Sequence, residues 1–336
     1  MIAGWTLPEP STDLSVVIPC YNESEVLQEL HQRVSAICLQ TVPSFEIILV
    51  NDGSSDDTWP ALVALSTRDP NLICVNLSRN YGHQLALTAG LSLSRGERIF
   101  ILDADLQDPP ELLPTMMAAL DGGADVAYGQ RERREGETAF KKVTAYCFYR
   151  MLNLLADQPI PEDTGDFRLI TRRVLRALCS MPENHRFIRG MVSWVGFRQV
   201  PVRYRRAPRL AGETGYTLRK MARFALDAIT SFSVKPLRAA FYAGLVFCLL
   251  SIVLFLVSIW AYLAHDTVRG WTSLASIVLL FFAAQFLFMG LIGEYLGRLY
   301  VESKRRPLFI IDQIVCGAEM HRDTAPVIAV GDVTNA

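Results

Sequence analysis

The sequence predicts an α/β domain on a largely parallel sheet, followed by an apolar helical hairpin. Two observations carry the first half. Short apolar runs bounded by turn residues alternate with stretches of helical period, and polar, mostly acidic clusters stand directly after several of those runs. One observation carries the second half: 239–264 and 270–293 hold 26 and 24 consecutive residues without a formal charge. Each exceeds the roughly 20 residues that cross a hydrocarbon core.

In chain order, the apolar runs 14–19, 45–50, 72–77, 98–102 and 125–128 read as strands. Between them, 23–39, 57–66, 84–94 and 111–120 read as helices. Strand and helix alternating in this way put helices on both faces of one sheet, and ligands of such sheets bind beyond the carboxyl ends of the strands.

The segment 198–238 carries ten basic and two acidic residues. Within 216–233, Leu218, Met221, Ala225, Ile229 and Phe232 fall at helical spacing while Arg219, Lys220 and Arg223 point elsewhere. Such a helix lies on a membrane leaflet or packs on the head with a solvated basic face, and the two placements are compatible. The connection 265–269 is five residues long, so the spans form a hairpin with both ends on one side. Lys235 and Arg238 precede it, Arg298, Lys304, Arg305 and Arg306 follow it, and only Arg269 sits in its loop, so both termini are expected in the cytoplasm.

Composition narrows the function classes. The 336 residues are 51% hydrophobic and 20% charged, with 33 Lys and Arg against 34 Asp and Glu, which excludes a disordered chain or a strongly basic nucleic-acid binder. The balance hides an asymmetry: residues 1–197 hold 17 basic and 25 acidic side chains, and 198–336 hold 16 and 9. An acidic head thus precedes a basic part suited to an anionic surface. Seven scattered cysteines without a C-x-x-C support neither a disulfide framework nor a zinc site. The first 15 residues contain Glu9 and Asp13 and no apolar h-region, so no secretory leader is expected and the head is expected in the cytosol.

Three clusters occupy strand ends: PCYNE at 19–23, NDGSSDDT at 51–58 and DADLQDP at 103–109. No dinucleotide or P-loop glycine motif is present. Asp103 and Asp105 with the Gln107 amide, at the end of an apolar strand, offer hard oxygen ligands for Mg²⁺ or Mn²⁺. Few carboxylates plus substrate phosphates is the usual way Mg²⁺ is held, so a nucleoside diphosphate fits the pocket. Local chemistry also allows plainer roles: Glu23 as a helix cap, Asp52 to Asp57 as turn and N-cap residues, Arg134 as a solvated charge, and Asp166 with Arg168 as a structural ion pair.

These clusters resemble those of glycosyltransferase family 2. The similarity extends through NYG at 80–82, GDFR at 165–168, MPENHRFIRG at 181–190, GET at 212–214, ITSFS at 229–233 and PLR at 236–238, and covers roughly 13–315. The full set resembles the polyisoprenyl-phosphate branch, nearest to bactoprenol (undecaprenyl-phosphate) glucosyltransferases and more distantly dolichyl-phosphate mannose synthase. The Q-x-x-R-W motif of processive synthases is absent from the sequence.

The resemblance implies a cytosolic, Rossmann-like GT-A domain over 1–210, a basic amphipathic interfacial region over 211–238, transmembrane helices over 239–264 and 270–296, and a cytosolic tail over 297–336. It implies that Pro19, Tyr21, Asn22, Glu23, Asp52, Asp103 and Ala104 bind the donor nucleotide sugar. Asp105 and Gln107, with Asp103, would hold Mg²⁺ or Mn²⁺, and Arg131, Arg134 and Arg168 would bind phosphate. Asp166, with Asp105 and Arg168, is the expected catalytic set. The implied reaction is inverting transfer of a hexose, glucose first, from a UDP-sugar to undecaprenyl phosphate at the cytoplasmic face of the inner membrane. A GDP-mannose or UDP-amino-sugar donor, another lipid acceptor, or a non-catalytic nucleotide-binding scaffold are the alternatives. The lipid bilayer is an expected partner and nucleic acid is not. A homo-oligomer is expected, a tetramer among its candidate forms, with 308–315 adding a strand to a neighbour.

Overall fold

The computed structural model describes residues 7–131, 164–184, 186–204, 270–316 and 319–321, together with the single positions 246, 249, 253, 256 and 260. The chain divides into two compact units: 1–149, 158–217 and 305–336 form one, and 150–157 with 218–304 form the other.

The first unit is an α/β domain. Five strands follow the predicted order: β1 (Thr12–Cys20), β2 (Phe45–Asn51), β3 (Leu72–Leu77), β4 (Gly96–Ile101) and β5 (Val126–Arg131). Between them run α1 (Leu27–Thr41), α2 (Thr58–Ser66), α3 (His83–Leu93) and, after a short 3₁₀ turn at Pro110–Leu112, α4 (Leu113–Asp121). β6 (Thr164–Thr171), α5 (Arg172–Cys179), α6 (Ile188–Val195) and β7 (Gln199–Tyr204) complete the main part. Far along the chain come β8 (Ile311–Cys316) and β9 (Glu319–His321). All nine strands form one sheet in the order β7-β5-β6-β4-β1-β2-β3-β8-β9.

β1 lies at the centre, parallel to β2 and β4, and β2 is parallel to β3. Buried on both faces, β1 and β2 read as continuous apolar runs rather than alternating ones. On α1, Leu27, Leu30, Val34 and Cys38 recur at helical spacing and join Leu14, Val16, Ile18, Ile47 and Leu49 in the core.

β6 was not foreseen as a strand. It runs antiparallel between β4 and β5, with Arg168 opposite both Ile101 and Tyr128. Reversal of its direction brings its first residues, 164–166, to the edge where the parallel strands end. The GDFR block therefore opens a strand, yet shares an edge with blocks that close strands.

The tail corrects another expectation. Instead of adding to a neighbour, 311–316 pairs antiparallel with β3 of its own chain, Ile73 opposite Cys316 and Asn76 opposite Gln313. Leu308, Phe309, Ile311 and Val315 are buried there. The tail is thus part of the head's sheet.

In the second unit, α7 (Trp271–Ser303) has 33 residues, about 50 Å at 1.5 Å per residue. Among the described residues no helix is long and apolar enough to cross a membrane. The expected helix 216–233 lies outside the described residues. So does 239–264 apart from five helical positions, Val246, Leu249, Val253, Leu256 and Trp260, all exposed.

Candidate active site

At the end of β1 the chain turns through Asn22, whose φ of 55° is the left-handed conformation Asn tolerates. Its side-chain oxygen accepts from Ser55 N at 2.9 Å, and its own backbone N–H donates to Ser54 Oγ at 3.0 Å. Glu23 N donates to Thr58 Oγ1 at 2.9 Å, and Asp56 accepts from Thr58 and Ser24. The first two clusters are therefore bonded into one rim, above which Tyr21 stands half exposed. The turn bonds here are made by Asn22, Asp56 and Thr58, and no side-chain cap hydrogen bond is made at the starts of α1 and α2.

Asp52 is only 2% exposed, and both its oxygens are taken: Tyr81 N donates at 2.7 Å and Gly82 N at 2.9 Å. Burial raises its pKa, and the two N–H donors oppose that shift. Asp52 thus holds the loop 80–82 that opens α3. Beside it, Gly53 adopts φ +62°, and a Cβ there would lie 2.5 Å from the backbone of Arg79 and Asn80. The same loop is held by hydrogen bonds at one residue and by close backbone approach at the next.

The start of α3 delivers His83 and Gln84 to the acidic centre. His83 Nε2 lies 3.4 Å from Asp103 Oδ1 and 3.4 Å from Asp166 Oδ2. Gln84 Nε2 donates to Asp166 Oδ2 at 2.7 Å, and Gln84 Oε1 accepts from Ile188 N at 2.8 Å. Arg189, one residue into α6, places Nε 3.7 Å from Asp166 Oδ1; Arg168 Nη2 is 3.8 Å from the same oxygen. Burial opposes the Asp166 charge, yet His83, Arg189 and Arg168 outweigh it and hold that carboxyl well below the usual carboxylate range. Burial likewise opposes the imidazolium of His83, but Asp166 and Asp103 hold it up at about 9.

Asp103 shows the opposite balance. Burial first, then repulsion from Asp166, Asp108 and Asp105, raises it to about 6 despite His83. Asp105 Oδ1 accepts from Gln107 N at 3.1 Å across Leu106, which sits at φ 54°. Beneath, Asp108 is fully buried, accepts from the Tyr204 hydroxyl, and lies 3.6 Å from Arg131 Nη2. Arg131 Nε donates to Tyr204 Oη at 3.2 Å.

Of the residues expected at the site, Tyr21, Asn22, Glu23, Asp103, Asp105, Gln107, Asp166, Arg131 and Arg168 all come to the strand-end edge. Pro19 is buried within β1 and Ala104 within the core. Arg168 is 3% exposed, and its guanidinium donates to the carbonyls of Gly165 and Asp166, so it supports the turn into β6. Arg134 lies outside the described residues. His83, Gln84, Asp108, Arg189 and Tyr204 were not anticipated. The available signal for His83 and Gln84 was their place just after the NYG block, and for Arg189 its place in 181–190.

Comparison with known proteins decides the family. The Glycosyl transferase family 2 model matches residues 15–179, and a model described as the GtrB C-terminal hairpin matches 235–299. An uncharacterized glycosyltransferase of Bacillus subtilis is 46% identical over 304 residues, 89% of this chain and 93% of the relative. A prophage bactoprenol glucosyl transferase homolog of Escherichia coli is 37% identical over 90% of this chain and 99% of its own. A bactoprenol glucosyl transferase of Shigella phage SfV is 37% identical over 89% of this chain and 97% of its own.

The chain belongs to glycosyltransferase family 2. In this glycosyltransferase several acids crowd one strand-end edge. Asp103 Oδ1 is buried without a hydrogen-bond partner, and its carboxyl is pushed up by neighbouring acids, a repulsion that a cation relieves. Among the described residues no three His, Cys, Asp or Glu side chains enclose a metal by themselves.

Proposed function

We propose that this glycosyltransferase moves a hexose, glucose in the first instance, from a UDP-sugar to the phosphate of undecaprenyl phosphate at the cytoplasmic face of the inner membrane. The observation that carries the reading is the pairing of both family matches in one chain, in which relatives named bactoprenol glucosyl transferase align over about nine-tenths of its length. The apolar stretches 239–264 and 270–296 supply the membrane hairpin in this reading. The exposed Leu274, Val278, Phe282, Met289, Ile292 and Leu296 of α7 are the apolar surface that lipid would cover. The basic 211–238 region then sits on the anionic inner leaflet.

The chemistry follows from charge. A phosphomonoester with a second pKa of about 6 is largely ionised at neutral pH and attacks the anomeric carbon without a strong base. Asp166, held below the usual range by three cations, is a weak base and instead orients Arg189 and His83 toward the incoming anion. Asp103 and Asp105 would hold Mg²⁺ or Mn²⁺, which would supply charge stabilisation for the departing diphosphate. Tyr21, Asn22 and Glu23 frame the nucleoside end, and Arg131, oriented by Asp108 and Tyr204, offers phosphate contact.

The test is turnover by the detergent-solubilised protein with undecaprenyl phosphate, Mg²⁺ or Mn²⁺, and a panel of UDP- and GDP-sugars, following nucleotide release and product mass. A hexosyl-lipid formed from one UDP-sugar is the expected result. Nucleotide release without glycolipid refutes the acceptor, and glycolipid only from a GDP-sugar refutes the donor.

A further inference from the structure

We propose that Gln84 is a positioning residue of the transfer reaction: its amide fixes the Asp166 carboxylate and the entry of α6 relative to each other. The inference rests on the proposed role of Asp166. The geometry assigns both ends of the amide without ambiguity. A carboxylate can only accept and a backbone N–H can only donate, so Nε2 faces Asp166 Oδ2 at 2.7 Å and Oε1 faces Ile188 N at 2.8 Å.

Three elements that are distant in sequence meet at this one side chain. Gln84 is in the first turn of α3, Asp166 begins the antiparallel β6, and Ile188 is the first residue of α6. Arg189, the next residue, faces Asp166 Oδ1. Oδ2 takes the Gln84 amide and lies 3.4 Å from His83 Nε2, while Oδ1 faces Arg189 and Arg168, so the amide fixes the orientation in which the two oxygens meet their different cations. The loop before α3 is itself anchored, through Tyr81 N and Gly82 N, on Asp52. The NDG cluster, the GDFR block and the 181–190 segment are thereby joined in one hydrogen-bonded path.

No other residue type satisfies these demands. Glutamate at 84 retains an acceptor for Ile188 N but sets a second carboxylate against Asp166. Methionine keeps the length and removes both bonds. A merely structural tie predicts that kcat, UDP affinity and thermal midpoint fall together in both variants. A positioning role predicts that both lose kcat.

The experiment is a double-mutant cycle in the full-length protein: wild type, Gln84→Met, Gln84→Glu, Asp166→Ala, and each Gln84 change combined with Asp166→Ala. It uses whichever donor and acceptor the wild type turns over, with UDP affinity and thermal midpoint measured alongside. We expect each Gln84 variant to lose about 100-fold in kcat, the cost of a small misplacement of a reacting constellation, with UDP affinity changed less than about twofold. In the Asp166→Ala background the same changes should cost less than about threefold, because the two residues act as a unit. Losses that multiply across the two backgrounds, or a Gln84→Glu enzyme within about threefold of wild type, overturn the proposal. Wild-type silence toward undecaprenyl phosphate alongside transfer to another acceptor refutes the proposed acceptor and leaves the cycle to judge Gln84.

Discussion

Replacing Gly53 with alanine tests how the donor-side loop is built. Two costs are expected. The residue sits at φ +62°, where a side chain costs roughly 1–2 kcal/mol. The added Cβ would also stand 2.5 Å from Arg79 C and Asn80 N, which are backbone atoms without a rotamer to change. Overpacking of that kind costs roughly 1–3 kcal/mol. Gly196, at φ +74° with its nearest neighbour 3.8 Å away, provides the control: the same backbone sign without the contact. Gly53→Ala should therefore cost about 2 kcal/mol more than Gly196→Ala, roughly 4–8 °C in midpoint at 2–4 °C per kcal/mol. Thermal unfolding of both purified variants in one detergent supplies the comparison. Because the displaced loop carries His83 and Gln84, Gly53→Ala should also lose turnover while Gly196→Ala keeps it. Equal midpoints for the two variants would refute the argument from close approach.

Four further outcomes are expected. EDTA, or Asp105→Ala, should lower kcat/KM by about 100-fold or more, and restored activity on adding Mn²⁺ to the EDTA-treated wild type alone would separate the two effects. His83 is held at about 9 against an ordinary 6.5, so its stabilisation is complete below about pH 6.5 and is lost as pH rises through 9. The ring is 44% exposed, so screening leaves roughly 1 kcal/mol, and the melting difference between chelated wild type and His83→Gln should shrink over that window. Tyr204→Phe removes the hydroxyl between Asp108 and Arg131 and should cost roughly 1–3 kcal/mol, read by thermal unfolding, with a raised KM for the acceptor. A chain ending at residue 238 lacks β8 and should be markedly less soluble and more protease-sensitive than full-length protein; equal protease resistance would refute the structural role given to the tail.

The parallel half of the sheet was legible because burial on both faces leaves β1 and β2 largely apolar, β3 and β4 carry shorter apolar runs, and polar clusters follow several of them. β6 and β7 were not, and β8 was legible as a strand but not in its pairing. β6 is read in the sequence as a motif, since Gly165, Asp166 and Arg168 interrupt any apolar run, and its direction follows from tertiary pairing alone. β8 pairs across more than 230 residues of sequence, Asn76 opposite Gln313, and local periodicity carries no information about such a partner. The site divides in the same way. Asp103 and Asp105 were visible as carboxylates at a strand end and Asp166 only through the resemblance of its GDFR block, whereas Gln84 resembles any polar residue in a first helical turn until Asp166 is placed beside it.

Connectivity makes the head depend on chain far beyond residue 238. After α7 the chain lays β8 on β3, covering an edge that would otherwise expose unpaired backbone groups. Leu308, Phe309, Ile311 and Val315 are each at most 5% exposed, and burying side chains of this size contributes roughly 1.5–3 kcal/mol apiece before ordering entropy is counted. That gross contribution is comparable with the 5–15 kcal/mol net stability of a typical domain. A head cut free at residue 238 therefore tests folding rather than the membrane role proposed for 239–264 and 270–296. Substitutions within 239–264 and 270–296 that leave 305–316 intact separate the two, because they alter the apolar surface while the sheet keeps its last strands.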